Sequence, residues 1–250
     1  MKYKAILFDI DGTSIKDGQY QRPTPKVIEA VREAKEKVHV SSATGRPFVT
    51  AKWIFDDLDL SDPVIISEGA KIVDPKSGNI LWHKNIEATT VERLLKIMSN
   101  FPYKVTVESQ YSTFPEQPFV KIQDESFLYV ISIPIERQNE IIEKLEVVSE
   151  ITVSKIKSYS PDFIDLHITK KDATKENATM ELISRLGLKK EEVVGVGDSF
   201  NDIHLLNAVG FKVAMGNGAS ELKEIADYVA PSVYEDGLVD VIEKFILSSY

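Results

Sequence analysis

The stretch Tyr3-Lys4-Ala5-Ile6-Leu7-Phe8-Asp9-Ile10-Asp11-Gly12-Thr13 runs apolar from Ala5 to Phe8, presents two carboxylates one residue apart, and stops at a glycine. The apolar run reads as a buried strand. In an extended segment positions i and i+2 point the same way, so Asp9 and Asp11 are expected to converge at its carboxyl end. Convergent carboxylates raise one another's proton affinity, and at neutral pH the pair needs a cation between its members or a proton on one of them. The plain alternative is a strand that ends in an Asp-Gly turn, since both are ordinary turn residues.

Outward from this stretch, strands and helices alternate. Thr24-Pro25 reads as an N-cap followed by proline in the first helical position, and Val27, Ile28, Val31 and Ala34 recur at helical spacing. Val38 to Ala43 reads as a second strand, ending in Thr44-Gly45-Arg46-Pro47 before an amphipathic segment with Val49, Trp53, Ile54 and Leu58. Pro63 to Ser67 is a short buried strand, and Ile72-Val73 with Ile80-Leu81-Trp82 suggests a hairpin. Alternating strands and helices imply a parallel sheet covered on both faces.

Between residues 85 and 160 the order becomes helix, two strands, helix, two strands, an α+β pattern that reads as a smaller inserted domain. The alternation then resumes with a helix from Lys175, a strand Val193 to Val196, and Gly197-Asp198-Ser199-Phe200-Asn201-Asp202. The expected architecture is an α/β doubly wound parallel-sheet core, residues 1–84 and 161–250, interrupted by an α+β domain at 85–160.

Composition narrows the chemistry. The 250 residues are 43% hydrophobic and 28% charged, a globular balance, and the formal charge of −9 argues against general affinity for nucleic acid or anionic membrane. With no cysteine there is no disulfide, zinc-thiolate site or cysteine nucleophile, so a metal would be a hard cation held by oxygen. The N-terminal apolar stretch is broken at Asp9, too short for a signal-peptide core, and no segment reaches membrane-spanning length, so a cytoplasmic protein is expected. The four histidines are scattered without metal-ligand spacing and read as structural.

In a doubly wound sheet ligands bind beyond the carboxyl ends of the strands, where Asp9, Asp11 and Asp198 can face one crevice. Such an oxygen-rich pocket suits Mg2+, which is commonly held by one or two carboxylates with water and a substrate phosphate. Asp202 alone is explained as a helix-starting residue. Thr44 alone is an ordinary strand-end residue, and Lys175 one lysine among many.

Asp9-Ile10-Asp11-Gly12-Thr13, Ser42-Ala43-Thr44-Gly45-Arg46, Lys175 and Gly197-Asp198-Ser199-Phe200-Asn201-Asp202 together resemble the four ordered motifs of the haloacid dehalogenase superfamily. An insert between the second and third motifs is similar to the Cof-type (class IIB) phosphatases and, at this length, to phosphomannomutases. The resemblance implies a Rossmann-like core, an inserted cap domain, and Mg2+-dependent hydrolysis of a phosphate monoester of a small metabolite, of the sugar phosphate or phosphoglycolate class. It assigns Asp9 as the nucleophile that becomes an aspartyl phosphate, and Asp11 as proton donor and then base. Gly12, Thr44, Gly45, Lys175 and Asn201 hold the phosphoryl group; the carboxylates of Asp9 and Asp198 and the backbone carbonyl of Asp11 hold the metal, with Asp202 behind them or orienting Lys175. Two other functions share much of this: a phosphomutase, which needs arginine-rich cap contacts where the insert offers only Arg93 and Arg137, and a receiver-type signalling module, which needs no insert. Lys104, Lys121, Lys155 and Lys157 are further basic candidates for substrate contact. The chain departs from the family pattern at Glu68-Gly69-Ala70, where many relatives carry Asn-Gly-Ala, and at Glu176-Asn177 after the lysine, where glycine is usual.

Overall fold

The computed structural model describes residues 2–18, 21–107, 112–114, 123–158 and 160–248. The chain forms two compact units, residues 1–82 with 174–250, and residues 83–173.

The first unit begins with β1 (Ala5–Phe8), α1 (Pro25–Lys35), β2 (His39–Ser42), α2 (Phe48–Asp57), β3 (Val64–Ile66), β4 (Lys71–Val73) and β5 (Ile80–His83). The second unit carries α3 (Ala88–Met98), β6 (Lys104–Val107), β7 (Ser112–Phe114), β8 (Phe127–Pro134), α4 (Gln138–Leu145), β9 (Ile151–Lys157) and β10 (Phe163–Lys170). The chain returns to the first unit with α5 (Lys175–Arg185), β11 (Val193–Gly197), α6 (Asp202–Asn207), β12 (Phe211–Ala214), α7 (Ser220–Ile225), β13 (Tyr228–Val229) and α8 (Gly237–Ile242).

The main sheet has the order β13-β12-β11-β1-β2, every pair parallel. The opening strand is central: Phe8 is level with Val196 of β11 on one side and with Ser42 of β2 on the other. Its alternation supplies both faces. Ile6 and Phe8 enter the core formed with Val27 and Val31 of α1 and Leu238 and Val241 of α8. Ala5 and Leu7 enter the opposite one, with Ala178 and Leu182 of α5 and Leu205 of α6. A sheet clothed by helices on both sides explains why Ala5 to Phe8 is apolar at every position. Among the described residues β3 meets this sheet through the parallel bridge Ala43–Ile65 and otherwise leads an antiparallel β3-β4-β5 sheet, so the third strand is not a full member of the parallel ladder.

The second unit is an antiparallel sheet in the order β7-β6-β8-β10-β9. Leu128, Val130, Leu166 and Ile168 pack with Val91 and Leu94 of α3 and Ile141 and Leu145 of α4. The unit runs to Ala173 rather than 160, because Phe163–Lys170 pairs along its length with β9 and with β8. Pro161 lies in the turn that joins two strands of one sheet. β13 has no counterpart in the sequence reading, since two residues carry no periodicity.

Candidate active site

Three parallel strands end side by side, and each delivers a functional residue. Asp9 follows β1 and still donates its amide to the Val196 carbonyl at 2.9 Å, so its side chain is placed by the sheet. Thr44 follows β2, and its amide donates to the Ile65 carbonyl at 3.0 Å. Asp198 follows β11. Lys175 arrives from elsewhere, as the first residue of α5, whose start is capped by Thr174 Oγ1 accepting from the Asn177 amide at 3.2 Å.

Lys175 is 1% exposed, and its ammonium donates to Asp9 Oδ1 and Asp202 Oδ1, both at 2.7 Å. Burial alone would strip its proton, but Asp202, Asp9 and Glu68 outweigh that and hold the proton more tightly than in water. Asp202 is wholly buried and fully engaged: its other oxygen accepts from the amides of Asp198 and Ser199, each at 3.0 Å. It therefore shapes the Asp198 turn and anchors Lys175 at once.

Asp9, Asp198 and Asp202 each offer an oxygen within 4.8 Å of the others. Burial, then Asp202, Asp198 and Asp11, raise the proton affinity of Asp9 well above that of an ordinary carboxylate, against the opposing pull of Lys175. Burial and then Asp202 push Asp198 up to about 7, although Thr13 Oγ1 donates to its Oδ1 at 3.1 Å. Acids raised in this way gain most from a cation beside them, so the donor set fits a hard divalent ion. Asp9 and Asp198 are its natural holders, because Asp202 is wholly buried with its oxygens taken by Lys175 and two backbone amides, whereas Asp198 is partly exposed.

The Asp11 carboxylate parts from Asp9. β1 ends at Phe8, and the amides of Thr13, Ser14 and Ile15 all donate to the Ile10 carbonyl, so the segment turns and the two-residue strand rule no longer applies. Asp11 is instead gripped by Arg46, with Nε donating to Oδ2 at 2.7 Å and Nη2 donating to Oδ1. Arg46 is itself steadied by Nη1 donating to the Thr50 carbonyl at 3.1 Å.

Gly12 adopts a left-handed φ of 76°, and a Cβ there would lie 2.2 Å from Asp198 Oδ2. Gly45 likewise leaves room, in its case for the Glu68 carboxylate, whose Oε1 would be 2.1 Å from an added Cβ. Thr44 is buried and its Oγ1 accepts from the Arg46 amide at 3.1 Å. Asn201 is bridged between neighbours, Nδ2 donating to Glu68 Oε2 at 3.1 Å and Oδ1 accepting from Ser199 Oγ.

The structure thus gathers Asp9, Asp198, Asp202 and Lys175 around one cluster, with Gly12 against Asp198. Sequence reading gave no role to Thr13 and Arg46, which lie within the matching motifs, or to Asn217 in the turn after β12. Asn217 Nδ2 donates to the Gly12 carbonyl at 2.8 Å and its Oδ1 accepts from the Val233 amide at 2.8 Å, fastening the β12 loop to the first turn. Its signal in the sequence is the Met215-Gly216-Asn217 turn, which follows the strand next to β11 at the same sheet edge. Of the basic candidates in the second unit, Arg137 pairs with Glu140 and Arg93 with Glu150, while Lys121 lies outside the described residues.

The family model for haloacid dehalogenase-like hydrolases matches residues 6–242. The chain belongs to that family. It is 30% identical to a 5-amino-6-(5-phospho-D-ribitylamino)uracil phosphatase of Bacillus subtilis, over 98% of this chain and 96% of the relative. It is also 30% identical to phosphoglycolate phosphatase 1 of Saccharolobus solfataricus, over 99% and 97%. The fold matches that of a sugar phosphatase of HAD subclass IIB with a TM-score of 0.75 at 24% identity, over 97% and 98%. This HAD hydrolase is of the Cof type and is a phosphoric monoester hydrolase. No described helix is long and apolar enough to cross a membrane.

Proposed function

We propose that this HAD phosphatase is a Mg2+-dependent, cytoplasmic enzyme that hydrolyses the phosphate monoester of a small metabolite, of the sugar phosphate or phosphoglycolate class, through an aspartyl phosphate on Asp9. The observation that carries the reading is the buried Lys175 ammonium bridging Asp9 and Asp202 beside Asp198. It joins a nucleophile, a cationic partner for the phosphoryl group and a metal-holding acid at one sheet edge.

Asp9 and Asp198, with the Asp11 backbone carbonyl, would hold a Mg2+ ion, which would supply positive charge to the phosphoryl oxygens and favour the ionised nucleophile. Lys175, aimed by Asp202, holds the Asp9 carboxylate in place and offers charge to the incoming phosphoryl group. Thr44 and the Gly45 amide complete the phosphate cradle. Asp9 attacks phosphorus as the bond to the leaving oxygen breaks, and Asp11 gives that oxygen its proton. Asp11 then takes a proton from water, whose oxygen attacks phosphorus and frees phosphate and Asp9. Arg46 occupies one lone pair on each Asp11 oxygen and fixes the direction of the carboxylate, leaving the remaining lone pairs for the proton that is passed to the leaving oxygen. The inserted 83–173 unit acts as the cap that excludes water and selects the leaving group.

The test is Asp9→Asn, an isosteric change that removes the nucleophile. It should lower turnover of an aryl phosphate by at least about a thousandfold while leaving the circular dichroism spectrum unchanged. Wild-type turnover by the variant would overturn the nucleophile assignment.

A further inference from the structure

The turn after β3 carries three consecutive left-handed residues. Ser67, Glu68 and Gly69 follow one another at φ 53°, 58° and 96°, a left-handed run that side chains with a Cβ ordinarily avoid. The run brings three segments together. Gly69 lies against the peptide joining Thr174 to Lys175, where a Cβ would come within 2.2 Å of the Thr174 carbonyl carbon. The Glu68 side chain, 7% exposed, reaches between Gly45 and Asn201. Its negative field extends to the Lys175 ammonium. A carboxylate thus stands where the Thr44-Gly45 turn, the start of α5 and the Asn201 loop meet, among the groups that hold phosphate.

That position is chemically odd. Asp9, Asp11, Asp198 and Asp202 already outnumber Lys175 and Arg46, and Glu68 adds to the excess. One divalent cation reduces the excess without cancelling it. Glu68 also engages the Asn201 amide, a donor otherwise suited to a phosphoryl oxygen. Both effects weaken the hold on a dianion.

We propose that Glu68 sets how tightly the pocket retains phosphate: its carboxylate offsets part of the Lys175 charge and engages the Asn201 amide, so that inorganic phosphate leaves readily after hydrolysis. Glu68 is a positioning residue that tunes product affinity. The inference rests on the reading of Thr44, Gly45 and Lys175 as the phosphate-holding groups.

Inorganic phosphate is the probe, measured with Mg2+ present as an inhibitor of aryl phosphate hydrolysis and by calorimetry. Glu68→Gln removes the charge while keeping the length and an oxygen for the Asn201 amide. It should bind phosphate on the order of tenfold more tightly than wild type, with a lower inhibition constant to match. A purely structural Glu68 predicts that the glutamine variant binds as wild type does, and that result, or weaker binding, overturns the proposal. Should the glutamine protein not fold, Glu68→Asn decides in its place by the same criterion, since asparagine tolerates the left-handed backbone better than most residues. If wild-type protein binds no phosphate, or Lys175→Ala binds it as well as wild type, the phosphate-site reading itself fails. If wild type binds phosphate and Glu68→Gln binds it equally, only the role of Glu68 is lost.

Discussion

Arg46 and Asp11 show what a single contact does to the residue proposed as proton carrier. The guanidinium fork fixes the direction in which the carboxylate points, and a bidentate pair adds geometry as well as charge. If Arg46 aims Asp11 at the leaving oxygen, its loss matters most where that oxygen needs a proton. Arg46→Ala should therefore lower kcat/KM for an alkyl phosphate at least about tenfold more than for 4-nitrophenyl phosphate, whose leaving group departs without help. Arg46→Lys should recover only part of the loss, because an ammonium cannot grip both oxygens in one plane. Equal losses on the two substrates would show that Arg46 acts on binding or folding instead. Gly12 is the second position where one atom decides: Gly12→Ala puts a methyl group into the Asp198 carboxylate on a left-handed backbone. It should destabilise the protein by about 1–3 kcal/mol in urea unfolding and reduce activity with it.

At the scale of the element, catalysis depends on where a helix begins. Lys175 is the first residue of α5, and the cap that fixes this start is the Thr174 side chain. Thr174→Ala should cost about 1 kcal/mol of stability and lower kcat, because the turn that carries the ammonium loosens; Thr174→Ser should retain both. Urea melts and steady-state rates on the same preparations check it. The opposite end of a helix is held differently in α2. There the Leu60 amide donates to the Phe55 carbonyl and the Asp59 amide to that of Asp56, a Schellman arrangement with Asp59 at φ 48°. Hydrogen bonds from Lys35 and then Lys76 hold the Asp59 carboxyl down at about 2. Its folded proton affinity is lowered, so any stability it adds is present above the ordinary carboxylate range and lost as pH falls toward 2. Asp59 is largely exposed, which limits the contribution to roughly 1 kcal/mol or less.

For the whole molecule, the packed acids of the site are a liability that the proposed Mg2+ would relieve. Asp198 titrates near 7 when folded and well below that when unfolded, so the native state binds the extra proton between those values. Stability then falls as pH rises through that window, the reverse of an ion-paired acid. Metal-free protein should thus melt lower at pH 7.5 than at pH 5.5, and saturating Mg2+ should raise Tm more at the higher pH. Asp198→Asn should raise the melting temperature of metal-free protein at pH 7.5 and remove most of the Mg2+ gain. A Tm that is indifferent to Mg2+ at both pH values would contradict the metal assignment.

Only the family resemblance picked out Lys175 and Asp202, whereas the parallel core, the insert and the strand-end acids Asp9 and Asp198 were legible in the local sequence. Each is encoded locally: unbroken apolar runs such as Ala5 to Phe8 form doubly covered strands, and acids placed at their carboxyl ends meet in a parallel sheet whatever the detail of the helices. The inserted unit was legible as a change of rhythm, but its end at Ala173 was not, since only the pairing of Phe163–Lys170 with β8 and β9 assigns that strand. Tertiary structure alone decided the partners. The turn after Phe8 sent Asp11 to Arg46 and left Asp202 to join Asp9 and Asp198, because side-chain direction past a strand end follows the loop hydrogen bonds and not the strand period. Glu68 and Asn217 entered the site in the same way, from loops that no periodicity describes, brought there by the packing of strands far apart in the chain.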